Sequence, residues 1–597
     1  MKKFYKSMAL LLALVMVFSL VGCQKAAPAS STGIFKPGTY TGEADGIHGK
    51  VQVEVTVDEN KITDVKVVKH DETPGVSDNA IKSVPADIVK YQTLAVDTVA
   101  GASVTSKAII AAVTQALEKA GANIADLQKK PEASNASGQT IEKQSDVVII
   151  GAGGAGLAAA VSAHQNGAKV IVIEKMPSVG GNTIISGSAF NAADPVRQGK
   201  QGIEDSVEKH YTQTFEGGDK LAKPELVKTL TENAYPAIQW LESLGMEFKP
   251  EVFTVLGGLW PRAHKPVKPL GTGYIETYMN YINANSADIE IMVDTKATEI
   301  IMENGKAVGV KAESKDGNVV LKANKGVILA AGGFGANIEM RNQYNKKWPD
   351  LTNVKTTNHV GATGDGMALA EKIGANLIGM ENIQLLPMGD PVTGSLSGNI
   401  EQGVENRIFV NKDGNRFVDE GQRRDVMTKA LFEQKDSFMW VIVDKHSYPT
   451  GDTKNNFNET IDQLVEQGRA YKADTLEDLA KQIGVSPENL VKAVEEFNKA
   501  VERGGKDSLG RTLFKDKLDT APYYAGARVP TVHHTMGGVE INPSAQVLDK
   551  NGNIIPGLYA AGEVTGGIHG GNRLGGNALA DVNVFGRIAG ESAAAGK

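Results

Sequence analysis

The sequence predicts a multidomain protein that combines the α/β and α+β fold classes. Its 597 residues are enough for three or four domains. The apolar, β-branched run 146–150 leads directly into a glycine-rich turn and a helix-forming stretch, which is typical of a parallel α/β sheet. Nearer the N-terminus, alternating valines predict a half-buried hairpin followed by a helix, and this indicates a separate small α+β domain.

Charge and cysteine content exclude several classes of function. The net charge of −7 gives no basic field, so we expect no nucleic-acid partner. Cys23 is the only cysteine, which excludes a disulfide framework, a thiolate iron–sulfur site and a c-type haem attachment. We expect no metal site, and any redox cofactor should be organic or held without cysteine.

The first residues resemble an export signal. Lys2, Lys3 and Lys6 precede an apolar run, 8–21, which is too short to span a bilayer comfortably. The run ends in Leu-Val-Gly-Cys, which resembles a bacterial lipobox. We therefore expect a signal peptide over 1–23 and lipidation of Cys23, with the mature protein tethered to the outer face of the cell membrane. An uncleaved anchor or plain secretion are the alternatives. Residues 24–35 are rich in Ala, Ser and Pro and predict a flexible tether.

A small domain is predicted over 36–126. Valines alternate with polar residues over 51–57, a turn follows at 58–60, and apolar residues resume at Ile62, as expected for a hairpin. A helix is predicted at about 106–120, because its apolar residues fall on one face. The polar stretch 127–145 predicts an interdomain linker.

A dinucleotide-binding fingerprint follows. The strand ending at residue 150 runs into Gly151, Gly153 and Gly156 in the spacing G-x-G-x-x-G, and a second strand ends at Glu174. In a Rossmann-type unit the first glycine permits the tight turn, the second admits a phosphate, and the third lets helix pack on strand. The pyrophosphate would lie at the helix N-terminus, and Glu174 would accept hydrogen bonds from ribose hydroxyls.

Later segments favour FAD over NAD. Gly181, Asn182 and Thr183 follow the second strand closely, a further strand ends at Gly333, and a Gly-rich strand–turn containing Glu563 stands about 400 residues after the fingerprint. This layout is typical of FAD enzymes, in which the flavin lies extended and a segment near the C-terminus covers its ribityl chain. NAD as the primary ligand is the weaker alternative.

Longer blocks resemble the soluble fumarate reductase and flavocytochrome c family, including its urocanate reductases. The blocks are Gly-Gly-Asn-Thr at 180–183, the segment 357–366, His-His-Thr-Met-Gly-Gly at 533–538, and the segment 566–576. The resemblance implies an FAD-binding domain in two segments, 146–353 and 531–597, with a capping domain inserted over 354–530. It also implies cofactor contacts from Lys175, Asp365 and His534.

The resemblance implies reduction of the C=C bond of a small α,β-unsaturated carboxylate. Such chemistry needs a hydride from reduced flavin, cations that polarise the carboxylate, and an acid that protonates the α-carbon. Arg573 matches the family's carboxylate-clamping arginine, His533 matches a substrate histidine, and His359 matches the histidine that holds a far carboxylate. The alternatives are flavin-phosphate binding for Arg573, backbone contact with flavin for one of the paired histidines (His533 and His534), and a packed turn for His359.

The expected proton donor is missing from its place. The family's block Glu-Ala-Val-Arg-Gly, which is taken to hold the donor, has no clear counterpart in 399–408, where its arginine falls on about Gln402 or Gly403. Arg407 and Arg424 are the nearest candidates, and we predict Arg407. The departure favours an enoate other than fumarate, such as urocanate, a cinnamate or acrylate. Urocanate itself is less favoured, because urocanate reductases tend to have tyrosine where His359 stands.

The segment 97–106 resembles the FMN-binding domain of sodium-pumping and related electron-transfer complexes. In those domains a flavin transferase joins FMN through a phosphoester to a hydroxyl that follows Ser/Thr-Gly-Ala. Matching by position implies attachment to Ser103, although Ala100 departs from the pattern. Thr105 is the second candidate, and a loop that merely caps the helix through Thr105 or Ser106 is the structural alternative.

Together the two flavins suggest an electron path. A membrane or extracellular donor would reduce FMN, FMN would reduce FAD, and FAD would reduce the enoate as terminal electron acceptor. Two competing hypotheses remain: a ketosteroid-type FAD dehydrogenase, against which Arg573 argues, and a surface electron-transfer flavoprotein without turnover of its own.

Overall fold

A computed structural model describes residues 33–47, 49–72, 76–99, 102–129 and 140–596. The predicted signal peptide, Cys23 and most of the tether lie outside the described residues. Within those ranges, no helix has the length and apolar character needed to cross a membrane.

The small domain packs helices against one face of an antiparallel sheet. The valines at alternate positions of the central strand point into its core, and the predicted hairpin is confirmed. The sequence missed the first strand and the first helix, and the second helix begins at Ser103 rather than near Ser106. The strands are Gly38–Asp45, Lys50–Val57 and Ile62–Lys69, and the helices are Asp78–Tyr91, Ser103–Lys119 and the short 3-10 turn Ile124–Gln128.

The predicted linker over 127–145 is wrong at both ends. Leu127 is buried in the core of the small domain. A strand begins at Thr140, where the sequence predicted it at Asp146, and its first half pairs in parallel with the strand Gly317–Leu329. Polar side chains over 140–145 alternate on an exposed part of the sheet, and their composition resembles that of a linker.

An eight-stranded sheet forms the centre of the large domain. Its strands 554–560, 317–329, 140–150, 170–173 and 289–292 run in parallel in this order. The parallel neighbours 140–150 and 170–173 are the pair that the fingerprint predicted. The helix Gly154–Gln165 packs closely against the C-terminal helix Asn577–Ala595. Gly590 allows this approach, because a Cβ there would lie 2.4 Å from Ala159 O. The remaining strands of the sheet are Thr295–Glu303, Lys306–Ser314 and Gln546–Leu548.

Several helices cover the sheet or flank the cofactor cavity. The longest, Pro224–Ser243, begins with proline at its first position, where the missing N–H costs nothing. The others are Gly181–Ile184, Arg197–Lys200, Val207–Gly217, Thr272–Ala284, Ile338–Tyr344 and Asp365–Lys372. Short strands complete this region at Phe190–Asn191, Ala263–His264, Leu377–Ile378, Gly538–Glu540 and Thr565–Gly566.

The capping region is built on a second, five-stranded sheet. Its strand Tyr523–Thr535 crosses residue 530, so the predicted domain boundary falls within a strand. That continuous strand carries His533 and His534 from the capping sheet to the large domain. The other strands are Ile383–Gly389, Ile408–Val410, Met439–Val443 and Tyr471–Ala473, and the helices are Arg424–Phe432, Ile461–Glu466, Leu476–Ile483 and Pro487–Arg503.

Candidate active site

A large cavity lies at the carboxyl ends of the parallel strands. It encloses about 920 Å³, part of it open to solvent. Most of the residues predicted to bind the cofactor line it, which places a dinucleotide where open α/β sheets bind their ligands. These predicted residues are Gly151, Gly153, Glu174, Lys175, Gly181, Asn182, Thr183, Asp365 and Glu563.

The glycines of the cavity leave space that side chains would fill. A Cβ at Gly153 or at Gly332 would meet no protein atom within 4 Å, and both residues line the cavity. Gly156 has the packing role that its position predicted, since a Cβ there would lie 1.9 Å from Gly151 O. Gly333 packs against Thr535 instead of lining the cavity, and its neighbour Gly332 takes the predicted place.

Glu174 braces the fingerprint turn. Its carboxylate accepts hydrogen bonds from the backbone N–H groups of Ala152 and Met176, both at 2.9 Å. Burial raises the pKa of Glu174, and these donors oppose the rise. A carboxylate has about four acceptor positions, so Glu174 retains capacity for the ribose hydroxyls that the sequence predicted.

Lys175 and Asp365 form an ion pair across the cavity wall. Lys175 Nζ lies 2.8 Å from Asp365 Oδ2 and also donates to Thr363 Oγ1 at 2.6 Å. Burial alone would raise the pKa of Asp365, but the hydrogen bond and the charge of Lys175 hold it below its usual value.

A polar network joins Asn182, near the fingerprint helix, to Glu563 on the cavity wall. Asn182 Nδ2 donates to Asn358 Oδ1 at 2.7 Å and to Glu563 Oε2 at 3.2 Å. Thr183 Oγ1 accepts from the N–H of Gly154 at 3.2 Å, at the start of the fingerprint helix. Burial raises the pKa of Glu563, which accepts from Thr535 N at 2.9 Å.

Beyond Glu563, two buried arginines converge on one amide. Arg573 Nη2 and Arg424 Nη1 both donate to Gln384 Oε1, at 3.0 and 3.1 Å. Gln384 Nε2 donates in turn to the carbonyl of Arg573 at 2.8 Å and so fixes the amide orientation. We call Gln384, Arg424, His533 and Arg573 the cationic cluster.

Burial and mutual repulsion set the electrostatics of this cluster. Burial lowers the pKa of Arg573 to about 10, against the opposing charges of Glu563 and Asp581. Burial and then the charge of Arg573 lower the pKa of Arg424 well below its usual value. Burial, with both arginines, lowers the pKa of His533, whose Nδ1 lies 2.8 Å from Thr357 Oγ1. Within the described residues, Arg573 Nε has no hydrogen-bond partner.

Comparison with known proteins agrees with this geometry. A family model described as an FAD binding domain matches residues 146–579. The chain belongs to this family. A second model, an FMN-binding domain, matches residues 46–118, so the chain carries a domain for each flavin.

Characterised relatives cover nearly the whole chain. The chain is 39% identical to the NADH:acrylate oxidoreductase of Vibrio harveyi over 94% of its own length, and it spans 61% of that longer protein. It is 38% identical to the urocanate reductase of Eggerthella lenta, over 97% of this chain and 96% of that one. Among solved structures, the open conformation of a flavocytochrome c3 fumarate reductase matches with a TM-score of 0.63 and 35% identity, over 79% of this chain and 83% of that one.

In the capping region, the structure brings Arg424 and not Arg407 into the cationic cluster. Arg407 is fully buried, forms an ion pair with Glu401, and donates to the carbonyl of Glu420 at 3.1 Å. It directly precedes the strand Ile408–Val410, and its guanidinium lies 4.3 Å from the ring centre of Phe409 inside the cap. The prediction of Arg407 as proton donor is therefore not supported by its position.

His359 lines the FAD cavity. Its Nδ1 accepts from the backbone N–H of Gly361 at 3.1 Å, and its backbone N–H donates to Asn182 Oδ1 at 2.7 Å. These contacts hold a buried turn, as the structural alternative expects, and the contact of His359 with a far carboxylate stays a prediction.

His534 connects the two parts of the site. Its Nδ1 lies 3.6 Å from Glu563 Oε2, and its ring meets the ring of His569 edge-on at 5.6 Å. His569 Nε2 lies 3.0 Å from Asp581 Oδ2. Burial and the charge of Arg573 lower the pKa of His534. His534 reaches the cavity wall through Glu563, and its own contact with the cofactor stays a prediction.

Sequence reasoning missed Gln384, Asp581 and the role of His569. His569 stands inside the block 566–576 and could have been selected there. Gln384 lies in an otherwise apolar strand run, and Asp581 lies in the C-terminal helix, so neither carries a local signal.

In the FMN-binding domain, Ser103 is the first residue of the helix Ser103–Lys119, and its side chain lies outside what the structure describes. Thr105 is buried and donates to Glu72. Ser106 Oγ accepts from Val99 N and donates to Ala102 O, both at 2.9 Å. Neither hydroxyl caps the helix, which disagrees with the capping alternative.

Proposed function

We propose that this protein reduces the C=C bond of a small α,β-unsaturated carboxylate with electrons from FAD. The observation that supports the proposal is the cationic cluster at the end of the FAD cavity. Two buried guanidinium groups there share one neutral acceptor, Gln384 Oε1. Buried charge is costly, and the charges of Glu563 and Asp581 offset only part of that cost for Arg573. A substrate carboxylate would supply a further counter-charge with the fork geometry that arginine prefers.

Arg573 is the proposed carboxylate clamp. It is 3% exposed, and its Nε lacks a hydrogen-bond partner among the described residues. A carboxylate that accepts from this guanidinium withdraws electron density from the double bond and makes the β-carbon electrophilic. His533, held neutral between the arginines, would orient the substrate by hydrogen bonding and not by charge.

Arg424 is the proposed proton donor. An ordinary guanidinium is too weak an acid for this task, but burial and the charge of Arg573 lower the pKa of Arg424 and strengthen it as an acid. Reduced FAD, when bound, would supply the hydride. Glu401, which lies between the charges of Arg424 and Arg407, would be the next group to return a proton.

The substrate class follows from the clamp and from the relatives. One carboxylate is sufficient to form the fork-shaped pair with Arg573. The names of the relatives provide acrylate, urocanate and fumarate as the first candidates. We favour a monocarboxylate such as acrylate or a cinnamate over fumarate.

In this proposal FMN passes electrons to FAD. We propose that a flavin transferase joins FMN to Ser103, because the two neighbouring hydroxyls, Thr105 and Ser106, are already used inside the domain. An external donor at the membrane would reduce FMN, and the enoate would serve as terminal electron acceptor in anaerobic respiration. Export and a lipid anchor at Cys23 complete this proposal.

Anaerobic reoxidation tests the proposed activity. The purified two-flavin protein is reduced with dithionite and mixed with acrylate, urocanate, fumarate, cinnamates and a steroid enone, while flavin absorbance and the saturated product are followed. We expect rapid reoxidation by at least one carboxylate and none by the enone. Reoxidation by the enone alone would favour a ketosteroid-type dehydrogenase, and no reoxidation at all would favour an electron-transfer flavoprotein; either result overturns the proposal.

A further inference from the structure

The helix that begins at Ser103 has no side-chain cap. Ala102 stands at the N-cap position and has no oxygen to accept from the first-turn N–H groups. Uncapped helix ends tend to fray, and a missing cap costs typically about 1 kcal/mol. The first turn therefore needs support from outside the helix if its first residue is to have a fixed position.

Glu72 supplies that support from the segment that follows the third strand. It is 3% exposed, and its Oε2 accepts a hydrogen bond from Thr105 Oγ1. Its Oε1 accepts from the N–H of Ile47 at 2.7 Å. Glu72 thus joins the first helical turn, two residues after Ser103, to the turn between the first two strands.

The turn that receives Glu72 is shaped for a carboxylate. A Cβ at Gly46 would lie 2.3 Å from Glu72 Oε1, so any larger residue there would displace the Glu72 carboxylate from its present position. The turn is closed by a 2.7 Å hydrogen bond from Gly46 N to Gly49 O. Burying a carboxylate is costly, and a simple structural contact could use a neutral side chain at lower cost.

We propose that Glu72 is a positioning residue for covalent flavin attachment. This inference rests on the proposed attachment of FMN at Ser103. In that reaction the Ser103 oxygen bonds to the FMN phosphorus of a flavin dinucleotide, the pyrophosphate bond breaks, AMP leaves, and the serine proton passes to the transferase or solvent. Glu72, through Thr105, holds the first helical turn so that Ser103 meets the transferase in one geometry.

The acceptor assignment and the role of Glu72 are tested together with purified apoprotein and flavin transferase. The initial rate of attachment is measured by in-gel flavin fluorescence after denaturation and by intact mass. We expect no attachment in Ser103→Ala. In Glu72→Gln and Thr105→Val we expect attachment about tenfold slower, the loss typical of one hydrogen bond to a charged group. The variants should lower kcat for attachment, and the KM of the transferase for the acceptor protein should stay nearly unchanged.

Two variants serve as matched controls. Thr105→Ser keeps the hydroxyl and should restore the rate lost in Thr105→Val. Asp71→Asn removes the exposed neighbouring carboxylate and should leave the rate unchanged. All rates are measured below the melting temperature of each apoprotein, so that unfolding does not imitate the effect.

The outcomes separate the two proposals. Full labelling of Ser103→Ala would contradict attachment at Ser103, and the inference about Glu72 would fail with it. Absence of labelling in Ser103→Ala together with wild-type rates in Glu72→Gln and Thr105→Val would overturn the inference about Glu72 alone. Failure of Thr105→Ser to restore the rate would also overturn it.

Discussion

The walls of the FAD cavity are mostly backbone and small side chains, whereas the cationic cluster beside it consists of large charged ones. In the cavity, Gly153 and Gly332 leave open space and Glu174 is satisfied by backbone donors. In the cluster, Arg424 and Arg573 are both buried and share a single neutral acceptor. Glu563 connects the two regions, because it lines the cavity and its charge acts on Arg573.

The difference indicates which region stabilises the fold without its ligand. A cavity bounded by glycine costs the apoprotein little, because removing the ligand leaves few polar groups without partners. A cluster of buried cations lowers the stability of the protein without substrate. An anionic substrate that binds there should restore that stability. Changes in the two regions should therefore have different effects on stability.

The largest expected effect is loss of FAD from the cavity. Gly153→Val should abolish FAD binding and all activity, because its side chain would occupy cofactor space and its backbone φ of −77° accepts a β-branched residue. The free energy of unfolding of the apoprotein should change by less than about 0.5 kcal/mol. Bound flavin is measured by absorbance and the melting temperature by calorimetry.

Gly156→Val is the matched control for this prediction. Its Cβ would lie 1.9 Å from Gly151 O, so it should destabilise the apoprotein itself by at least about 1–3 kcal/mol. Similar melting temperatures for the two variants would contradict the distinction between cofactor space and packing space.

The second prediction concerns the substrate clamp. Arg573→Leu should lower kcat/KM for the best carboxylate by on the order of 10³-fold, because the charge-assisted contacts with the substrate are lost. It should also raise the melting temperature of the FAD-loaded protein by up to roughly a few degrees, because a buried cation next to Arg424 is removed.

Arg341→Leu is the control for stability. Arg341 is equally buried and, like Arg573, donates to backbone carbonyls, those of Gly335 and Leu351. Only burial lowers its pKa, with no contribution from a second arginine, so its loss should lower the melting temperature. A fall in melting temperature for both variants would show that the cluster is not destabilising.

The third prediction is a pH dependence of substrate binding. The pKa of Arg573 is lowered to about 10, so its charge is present at neutral pH and is lost as the pH rises through that value. KM for the carboxylate should be constant from pH 7 to 9 and should rise about tenfold per unit above pH 10. An apparent KM that stays flat to pH 11 would be inconsistent with an unusually acidic clamp.

The smallest expected effect lies at the outer contact between cap and FAD-binding domain. Arg423, next to Arg424, forms two hydrogen bonds with Asp219 across this contact, at 2.6 and 3.0 Å. The pair is partly exposed, so Asp219→Asn should change KM by no more than about two- to fivefold. Steady-state kinetics should show no effect of Asp425→Asn, which removes a partner of Arg423 within the cap.

The sequence predicted the cavity better than the cluster, and the reason is physical. The turn at Gly151, Gly153 and Gly156 and the acid at Glu174 lie within one βαβ unit, so spacing alone determines their geometry. The cluster is assembled from segments far apart in sequence. Family resemblance identifies two of its members, Arg573 and His533, whereas Gln384 could not be found because nothing local distinguishes a buried glutamine in an apolar strand.

The choice between Arg407 and Arg424 illustrates the same limit. Both precede regular elements of the cap, and sequence spacing could not decide which side chain reaches Arg573. Arg424 begins a helix that packs against the strand containing Gln384, whereas Arg407 points into the cap and pairs with Glu401. The family pattern therefore points to Arg407 by its place in the sequence, whereas the packing of the helix places Arg424 beside Arg573.

The most direct test of the account compares these two arginines in a single turnover. Wild type, Arg424→Gln and Arg407→Gln are reduced anaerobically and mixed with the best enoate, and the rate of flavin reoxidation is followed with formation of the saturated acid. We predict that Arg424→Gln slows reoxidation by on the order of 10²–10⁴-fold with substrate affinity changed only a few-fold, whereas folded Arg407→Gln keeps the larger part of its rate. Wild-type reoxidation in Arg424→Gln would contradict the assignment of the proton donor and with it the central role of the cationic cluster.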